Sequence, residues 1–333
     1  MGTIFRVLLG VIVLALIAAT AGYFVLRRPD IPYETLEAKY GGAASQYADL
    51  GDGLRVHYRD QGNAAGPVLV LVHGFGASLH TWEPWVERLG FNYRIVTLDL
   101  PGHGLTRAPA GYEASTQRYV EIIDTVTAQL GVTRFTLAGN SMGGGVAWNY
   151  ALAHPEKLSG LVLVDAAGFP VSENERDGPP PLIFALISNP IIGPLMRDLD
   201  NRPLIERALR QSFVDQSKID EAMIDRYAEM ARAPGHRAIL LSIGRDGADP
   251  ARLADIRTPT LVLHGDTDNL IPVAAGRGFA AAIPGAELVI FPNVGHVPME
   301  EAPDESAAAL AAFLERIHAA PAGAQPQPAG ATP

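Results

Sequence analysis

The stretch Arg134–Gly145, RFTLAGNSMGGG, decides the predicted fold, because it joins a strand, a tight turn and the start of a helix. Its first five residues, RFTLA, form a short, mostly apolar run that is typical of a strand buried on both faces of a parallel sheet. The next five, GNSMG (139–143), match the G-x-S-x-G turn that exposes a nucleophilic serine between a strand and a helix. At either glycine a Cβ would clash with the backbone around the serine. We therefore predict that Ser141 is a nucleophile above an α/β sheet.

Similar apolar runs lie on both sides of this stretch and alternate with segments of helical periodicity. The predicted strands are Pro67–Val72, Arg94–Leu100, Arg134–Ala138, Leu161–Val164, Thr260–Leu263 and Glu287–Phe291. Helices are predicted near 78–90, 115–130, 142–153, 273–283 and 304–318. Such an alternation predicts the α/β class, with a mostly parallel, doubly wound sheet.

The interval 169–252 interrupts this alternation, because it is mostly helical in pattern and contains no run typical of a buried strand. We expect it to be a helical cap, inserted between two parts of the core at 48–168 and 253–318. Its segment Pro179–Met196, PPPLIFALISNPIIGPLM, is uncharged and apolar. Such a segment suits either an acyl-chain pocket or packing of the cap on the core. The Pro- and Ala-rich tail 319–333 is expected to be disordered.

Composition excludes several classes of function. The chain has 333 residues, with 26 Lys and Arg against 36 Asp and Glu, so its formal net charge is −10. This balance, without any basic run, argues against a nucleic-acid partner. The absence of cysteine excludes disulfides, thiolate metal sites and a cysteine nucleophile. Because the chain also lacks the HExxH, dinucleotide-binding and P-loop motifs, we expect no metal and no organic cofactor.

The N-terminal segment has the length and polarity of a membrane anchor. Residues 7–26 carry no charge and are flanked by arginines, and a helix of about 20 apolar residues spans a bilayer. A cleaved signal peptide, with small residues at 19–21, is the alternative, but the apolar tract continues past that site. We expect a retained single-pass transmembrane helix over 1–28 and a linker over 29–47. The flanking arginines nearly balance, so the side of the membrane is left open, with an extracytoplasmic catalytic domain favoured.

The partners of the serine are restricted by the chain order that accompanies this turn, which is serine, then acid, then histidine. His296 follows the last predicted strand and is the predicted base. Asp268 follows the strand before it and is the predicted acid, with Asp165 and Asp266 as alternatives. Asp266 is also suited to a turn or cap role.

A second glycine-containing loop, HGFG (73–76), directly follows the first buried apolar run. In this architecture such a loop donates one backbone N–H to an oxyanion, and the residue after the serine donates the other. We therefore predict an oxyanion hole formed by the N–H groups of Phe75 and Met142. The histidines that we expect to be structural or solvated are His73, His103, His264 and His318.

Read in chain order, the motifs HGFG, DLPGHG, GNSMG, GDTDNLIP and NVGHVPMEEAP resemble the α/β-hydrolase fold superfamily. The resemblance covers about residues 48–168 and 253–318, with the cap between them as the variable part. It implies an α/β-hydrolase fold and a serine-hydrolase triad of Ser141, Asp268 and His296.

Within this superfamily the chain looks closest to a membrane-anchored carboxylesterase or monoacylglycerol lipase. Haloalkane dehalogenases and epoxide hydrolases are disfavoured, because they have an aspartate where this chain has Ser141. Meta-cleavage C–C hydrolases stay an alternative, although Phe75 follows the first His-Gly where they usually have a Gly-Pro-Gly extension. A non-catalytic, membrane-tethered binding protein is a second alternative. We expect a hydrolase that cleaves small lipophilic esters through an acyl-enzyme, and the sequence leaves its oligomeric state open.

Overall fold

A β-sheet of eight strands forms the centre of the part of the chain that the computed structural model describes, namely residues 2–172, 189, 193, 197–243 and 246–319. The strands are β1 Ser45–Asp49, β2 Arg55–Gly62, β3 Val68–Val72, β4 Arg94–Leu98, β5 Phe135–Asn140, β6 Leu158–Val164, β7 Thr260–Gly265 and β8 Glu287–Phe291. Their order is β1-β2-β4-β3-β5-β6-β7-β8. β2 is antiparallel to both of its neighbours, and the other neighbouring pairs are parallel.

The α-helices of the described residues are α1 Gly2–Leu26, α2 Tyr33–Tyr40, α3 Glu83–Leu89, α4 Thr116–Gln129, α5 Met142–Ala153, α6 Arg202–Ser212, α7 Glu221–Met230, α8 His236–Ser242, α9 Val273–Ala282, α10 Pro298–Glu301 and α11 Pro303–Ala319. Of these, α5 packs on one face of the sheet and α11 on the other. Successive strand residues point to opposite faces, so Val70 packs into one hydrophobic core and Leu71 into the other. The predicted α/β class, the mostly parallel sheet and all six predicted strands are confirmed.

The two strands at the antiparallel edge, β1 and β2, were not predicted from the sequence. Their sequences, SQYAD and RVHYRDQG, are polar and lack an apolar run. His57 and Arg59 are nevertheless buried, because partners from distant parts of the chain pair with them. His57 Nδ1 lies 2.6 Å from a carboxylate oxygen of Asp99, and Arg59 lies 2.7 Å from Glu83. Local hydrophobic pattern cannot reveal a strand whose burial depends on such partners.

The described part of the interval 169–252 contains the α-helices α6, α7 and α8 and no strand. The apolar run Pro179–Met196 lies outside the described residues except for Asn189 and Gly193. The tail from residue 320 onward also lies outside them. The division into core, cap and tail therefore stays a prediction.

Among the described residues, α1 is the one helix long and apolar enough to cross a membrane, over Ile4–Leu26. None of its most apolar part is buried against the rest of the molecule. Its length and composition fit a membrane anchor or a signal sequence. The segment 29–47, expected to be a linker, holds α2, whose Leu36 is buried, and the first residues of β1.

The end of α1 is joined by backbone hydrogen bonds to residues 198–200, which precede α6. The N–H of Arg28 donates to the carbonyl of Asp198, and the N–H of Asp200 donates to the carbonyl of Leu26, both at 2.8 Å. We call residues 26–30 together with 198–200 the junction.

Candidate active site

Ser141 occupies the turn between β5 and α5 with φ 52° and ψ −117°, a conformation that non-glycine residues rarely adopt. The glycines beside it are required by close backbone contacts. A Cβ on Gly139 would lie 2.1 Å from the carbonyl oxygen of Gly143, and one on Gly143 would lie 2.2 Å from that of Val72. The predicted strand–turn–helix around the serine is confirmed.

His296 and Asp268 are joined by a short hydrogen bond, with His296 Nδ1 2.7 Å from Asp268 Oδ2. The other oxygen of the carboxylate accepts the backbone N–H groups of Leu270 at 2.7 Å and Ile271 at 3.0 Å. Burial by itself raises the pKa of Asp268, but the adjacent His296 and the hydrogen bonds hold this pKa below its ordinary value. The ionised carboxylate therefore accepts the Nδ1–H, which leaves Nε2 of the neutral ring as a proton acceptor.

The backbone of His296 is held from two sides. Its N–H donates to the carbonyl of Ser212 at the end of α6, at 2.7 Å. Its carbonyl accepts the side-chain amide of Asn140 at 3.0 Å. Because Asn140 directly precedes Ser141, the loop of the histidine is tied to the turn of the serine.

Glu301, in α10, makes a third connection. One carboxylate oxygen accepts the N–H of Gly295 at 2.7 Å, and the other accepts the N–H groups of Val214 at 2.7 Å and Asp215 at 2.6 Å. It thus links the histidine loop to the chain after α6. Neither Glu301 nor Asn140 was predicted to have a role in the site. The sequence signal for them was their position, since Asn140 directly precedes Ser141 and Glu301 follows His296 by five residues.

Asp165, the alternative acid, directly follows β6, and its carboxyl group lies within 4.8 Å of the polar atoms of Asp268 and His264. It accepts the N–H of Gly265 at 3.0 Å. Burial, and then the neighbouring charge of Asp268, raise the pKa of Asp165 well above its ordinary value. Within the described residues, His296 bonds to Asp268 and not to Asp165.

Asp165, His264 and Asp268 together resemble a metal-binding set by distance. Their hydrogen bonds argue otherwise. His264 Nε2 lies 2.9 Å from the carbonyl of Ile271, so this nitrogen donates a proton and has no lone pair for a metal. Asp268 is already bonded to His296. The sequence predicted a structural role for His264 but not its position beside the carboxylate of Asp268.

Two further residues follow their predicted roles. Asp266 is exposed, and its carboxylate accepts the N–H of Asn293 at 2.7 Å, as a turn residue does. His73 is buried, with Nδ1 2.7 Å from the carbonyl of Gly74, while Nε2 accepts the N–H of Leu100 at 3.0 Å. Both nitrogens of His73 are therefore used in holding backbone.

The HGFG loop lies against the serine. A Cβ on Gly74 would be 3.1 Å from the Cβ of Ser141, and Phe75 lines the same cavity as Ser141. Met142 is the first residue of α5, and the first N–H groups of a helix have no acceptor within it. Both predicted oxyanion donors thus belong to backbone that borders Ser141.

A cavity of about 300 Å³ lies beside Ser141 and His296. Large apolar side chains that form its wall include Phe75, Leu204, Leu209, Phe213, Leu240 and Leu270. Charged and amide side chains that also line it are Asn140, Arg197, Asp200, Asn201, Gln211 and Arg237. The space next to the serine is therefore suited to an apolar chain with a polar part elsewhere in the same ligand.

The sequence pattern of the alpha/beta hydrolase fold family matches residues 67–303, well over half of the chain. The chain belongs to this family. Its relatives and neighbours differ in the activities that they are named for. The chain is 32% identical to a membrane phospholipase A, a bacterial virulence factor, whose crystal structure matches with a TM-score of 0.71 over 95% of this chain and 99% of that one.

Two other relatives show the range of the family. The 2-hydroxymuconate semialdehyde hydrolase of Pseudomonas sp. (strain CF600) is 30% identical over 80% of this chain and 93% of its own length. Lipase 1 of Psychrobacter immobilis is 29% identical over 81% of this chain and 84% of its own length. The protein is therefore an α/β hydrolase, and its relatives include lipases as well as hydrolases of other substrates.

Proposed function

We propose that this protein is a serine hydrolase that cleaves carboxylic esters of lipophilic acyl chains through an acyl-enzyme intermediate. The observation that carries the proposal is the buried His296–Asp268 hydrogen bond beside a mostly apolar cavity that Ser141 also lines. An imidazole whose Nδ1–H is held by a carboxylate has its Nε2 ready to accept the proton of a serine. The apolar wall favours an acyl chain over a polar substrate.

In the proposed reaction, Ser141 Oγ attacks the ester carbonyl carbon while His296 Nε2 takes its proton. The N–H groups of Phe75 and Met142 stabilise the oxyanion. The intermediate then expels the alcohol, which receives the proton from His296, and the acyl group stays on the serine. Water attacks the acyl-enzyme with His296 again as base, and the acid leaves. Asp268 keeps the imidazole in the required tautomer and stabilises the imidazolium.

The proposal includes a membrane location. The names of two relatives, a membrane phospholipase A and Lipase 1, support a lipid-type ester as substrate. The unburied apolar face of α1 supports a retained single-pass anchor over residues 1–28, with a signal peptide as the alternative. The core at 48–168 and 253–318 and the cap at 169–252 would then lie at the membrane surface.

Covalent labelling tests the nucleophile. The full chain in detergent should react with a fluorophosphonate probe, and Ser141→Ala should abolish the labelling. Ser217→Ala, at an exposed serine outside the cavity, is the control and should label like the parent protein. A folded parent protein that fails to label would instead identify a non-catalytic binding protein on this scaffold.

A series of p-nitrophenyl esters tests the acyl specificity. Each methylene that enters the apolar cavity can add about 0.8 kcal/mol, so kcat/KM should rise nearly fourfold per CH₂ until the cavity is filled. A profile that is flat, or that prefers acetate, would contradict the acyl-pocket assignment.

A second candidate is a C–C bond hydrolase of the meta-cleavage type, which the 30% identity to 2-hydroxymuconate semialdehyde hydrolase favours. Both reactions would use Ser141, Asp268 and His296, so the triad cannot distinguish them. Turnover of a vinylogous diketone without turnover of simple esters would identify this second function.

A further inference from the structure

The cavity has a charged wall where it meets the junction. Leu199 lines the cavity and pairs in an antiparallel bridge with Arg27, the residue that directly follows α1. Arg197, Asp200 and Arg237 line the cavity as well. The space beside Ser141 is therefore bounded in part by residues attached to the end of the apolar helix.

Arg237 is the most buried charged residue of this wall, since its side chain is only 10% exposed. Nη2 donates to the carbonyl of Arg28 at 3.0 Å and to a carboxylate oxygen of Asp30 at 2.7 Å. Nη1 is buried and has no acceptor among the described residues. A buried donor of this kind is unfavourable until an acceptor reaches it, and an oxygen of a ligand in the cavity could supply one.

Positive charge is in excess around Arg237, although the whole chain has a net charge of −10. The charged residues at and around the junction are the arginines Arg27, Arg28, Arg197, Arg232 and Arg237 and the acids Asp30, Asp198, Asp200 and Glu229. Asp200 is already paired with Arg28, 3.1 Å away. Burial and the neighbouring Arg237 lower the pKa of Arg232, as expected where cations are crowded. An anion bound here would relieve this repulsion.

We propose that the substrate carries a phosphate group on its alcohol side, and that Arg237 binds this phosphate while the acyl ester lies at Ser141. The inference rests on the proposed ester hydrolysis and narrows its substrate to acyl esters of glycerophosphate, the class of phospholipids and lysophospholipids. A guanidinium binds phosphate oxygens through its planar set of N–H donors. Arg237 has Nη1 free for this contact, and it contacts residues just beyond α1, where lipid phosphates lie if α1 spans the bilayer.

Two substrates that differ only in the phosphate test the proposal. The full chain in detergent micelles is assayed with dodecanoylglycerol phosphate and with dodecanoylglycerol, and kcat/KM is measured for each substrate. The parent protein should prefer the phosphate ester by about tenfold or more, as a charge-assisted hydrogen bond allows. Arg237→Gln should remove this preference, so that the ratio of the two kcat/KM values falls to about one. Arg237→Lys should restore part of the preference, because lysine keeps the positive charge but lacks the planar set of N–H donors.

Arg232→Gln is the matched control. Arg232 bonds to the carbonyl of Pro29 in the same junction at 2.9 Å, but it is not among the residues that line the cavity. Its substitution removes an equal charge and should leave the ratio of the two kcat/KM values unchanged. Asp30→Asn removes the ion pair of Arg237 and keeps the guanidinium, so it should keep the preference. If Arg237→Gln and Asp30→Asn instead slow both esters equally, Arg237 is structural and the proposal is wrong.

The remaining outcomes separate this inference from the proposed function. Equal kcat/KM of the parent protein for the two esters would overturn the phosphate site and leave ester hydrolysis intact. Hydrolysis of neither ester would overturn the proposed function itself. Inhibition of neutral-ester hydrolysis by inorganic phosphate, without a preference between the esters, would assign the site to free phosphate. If dodecanoate inhibits Arg237→Gln more weakly than it inhibits the parent protein, and the parent protein shows no preference between the esters, Arg237 binds the carboxylate product. Both of these results contradict the proposal.

Discussion

At the scale of single residues, Ser141 and Asp165 share an uncommon backbone conformation, with φ of 52° and 44°. Each directly follows a parallel strand. A non-glycine residue in such a conformation is strained by about 1–3 kcal/mol and persists where its surroundings hold it. The N–H of Ser141 donates to the carbonyl of Val164 at 3.0 Å, and that of Asp165 to Leu263 at 2.9 Å. The strain therefore lies at the carboxyl edge of the sheet, where the candidate site is.

The three carboxylates considered for the triad should respond differently to substitution. Asp268→Asn should lower kcat by about four decades, because an amide no longer fixes the imidazole tautomer of His296. Asp165→Asn should stay within about tenfold, since this side chain accepts the N–H of Gly265, which an amide oxygen can also accept, and His296 bonds to Asp268 instead. Asp266→Asn, at an exposed turn, should also stay within about tenfold.

The measurement is kcat on a soluble ester, with thermal unfolding as the check on folding. If Asp165→Asn lost four decades and Asp268→Asn were close to the parent protein, the role of the acid would pass to Asp165.

At the scale of elements, α6 and α10 are coupled through the loop of His296. Glu301 in α10 accepts three backbone N–H groups, two from the chain after α6 and one from Gly295. Glu301→Gln would place an amide N–H₂ against some of these donors. A buried donor without an acceptor destabilises by about 1–3 kcal/mol.

We therefore expect Glu301→Gln to reduce stability by about 2 kcal/mol and kcat by about tenfold to a hundredfold, with a smaller change in KM. Urea unfolding and steady-state kinetics measure the two effects. Glu305→Gln, at an exposed position of α11, is the control and should change neither. A folded Glu301→Gln variant with the parent kcat would show that the hydrogen bonds of Glu301 do not position His296.

The elements also show what a local pattern can and cannot predict. β3 and β5 are apolar throughout, so their strand character and parallel pairing follow from the sequence. β2 is polar, and its Arg59 is buried because α3, the last residue of α2 and the residue after α2 supply partners. Its position between β1 and β4 depends on these long-range contacts.

At the scale of the whole molecule, stability should depend on pH through Glu300. Its carboxylate oxygens are buried without a partner among the described residues, although Arg226 and Thr81 lie near. Burial raises the pKa of Glu300 from 4.5 to about 7, against the opposing effect of Arg226. Between these pH values the folded protein binds more protons than the unfolded chain. The free energy of unfolding should therefore fall as pH rises through this window, by about 3 kcal/mol from this residue.

Urea unfolding at a series of pH values measures this contribution as the difference between the parent protein and Glu300→Gln. The variant should lack the fall between about pH 4.5 and 7, whereas Glu305→Gln should keep it. Equal pH profiles for all three proteins would mean that the carboxyl group of Glu300 is hydrated.

Truncation tests whether α1 supplies more than location. Removal of residues 2–22 keeps the junction and should give a soluble enzyme with activity on a soluble ester within about twofold of the full chain, because α1 is not buried. Removal of residues 2–28 also deletes the carbonyl of Leu26 and the guanidinium of Arg28, so its melting temperature should be lower. A folded 2–22 deletion without activity would place α1 within the site.

The sequence by itself determined the α/β class, the six central strands, the elbow around Ser141 and the late position of His296. These features depend on short-range physics, namely apolar runs buried on both faces and glycines that a tight turn requires. The sequence favoured Asp268 as the acid but left Asp165 open, because both aspartates follow strands. The tertiary structure pairs His296 with Asp268, since this choice depends on the direction of one imidazole. It alone revealed the contacts of Glu301, the polar edge strands and the place of Arg237 in the cavity wall. Most of these contacts join residues far apart in the chain, and local spacing does not encode such pairs.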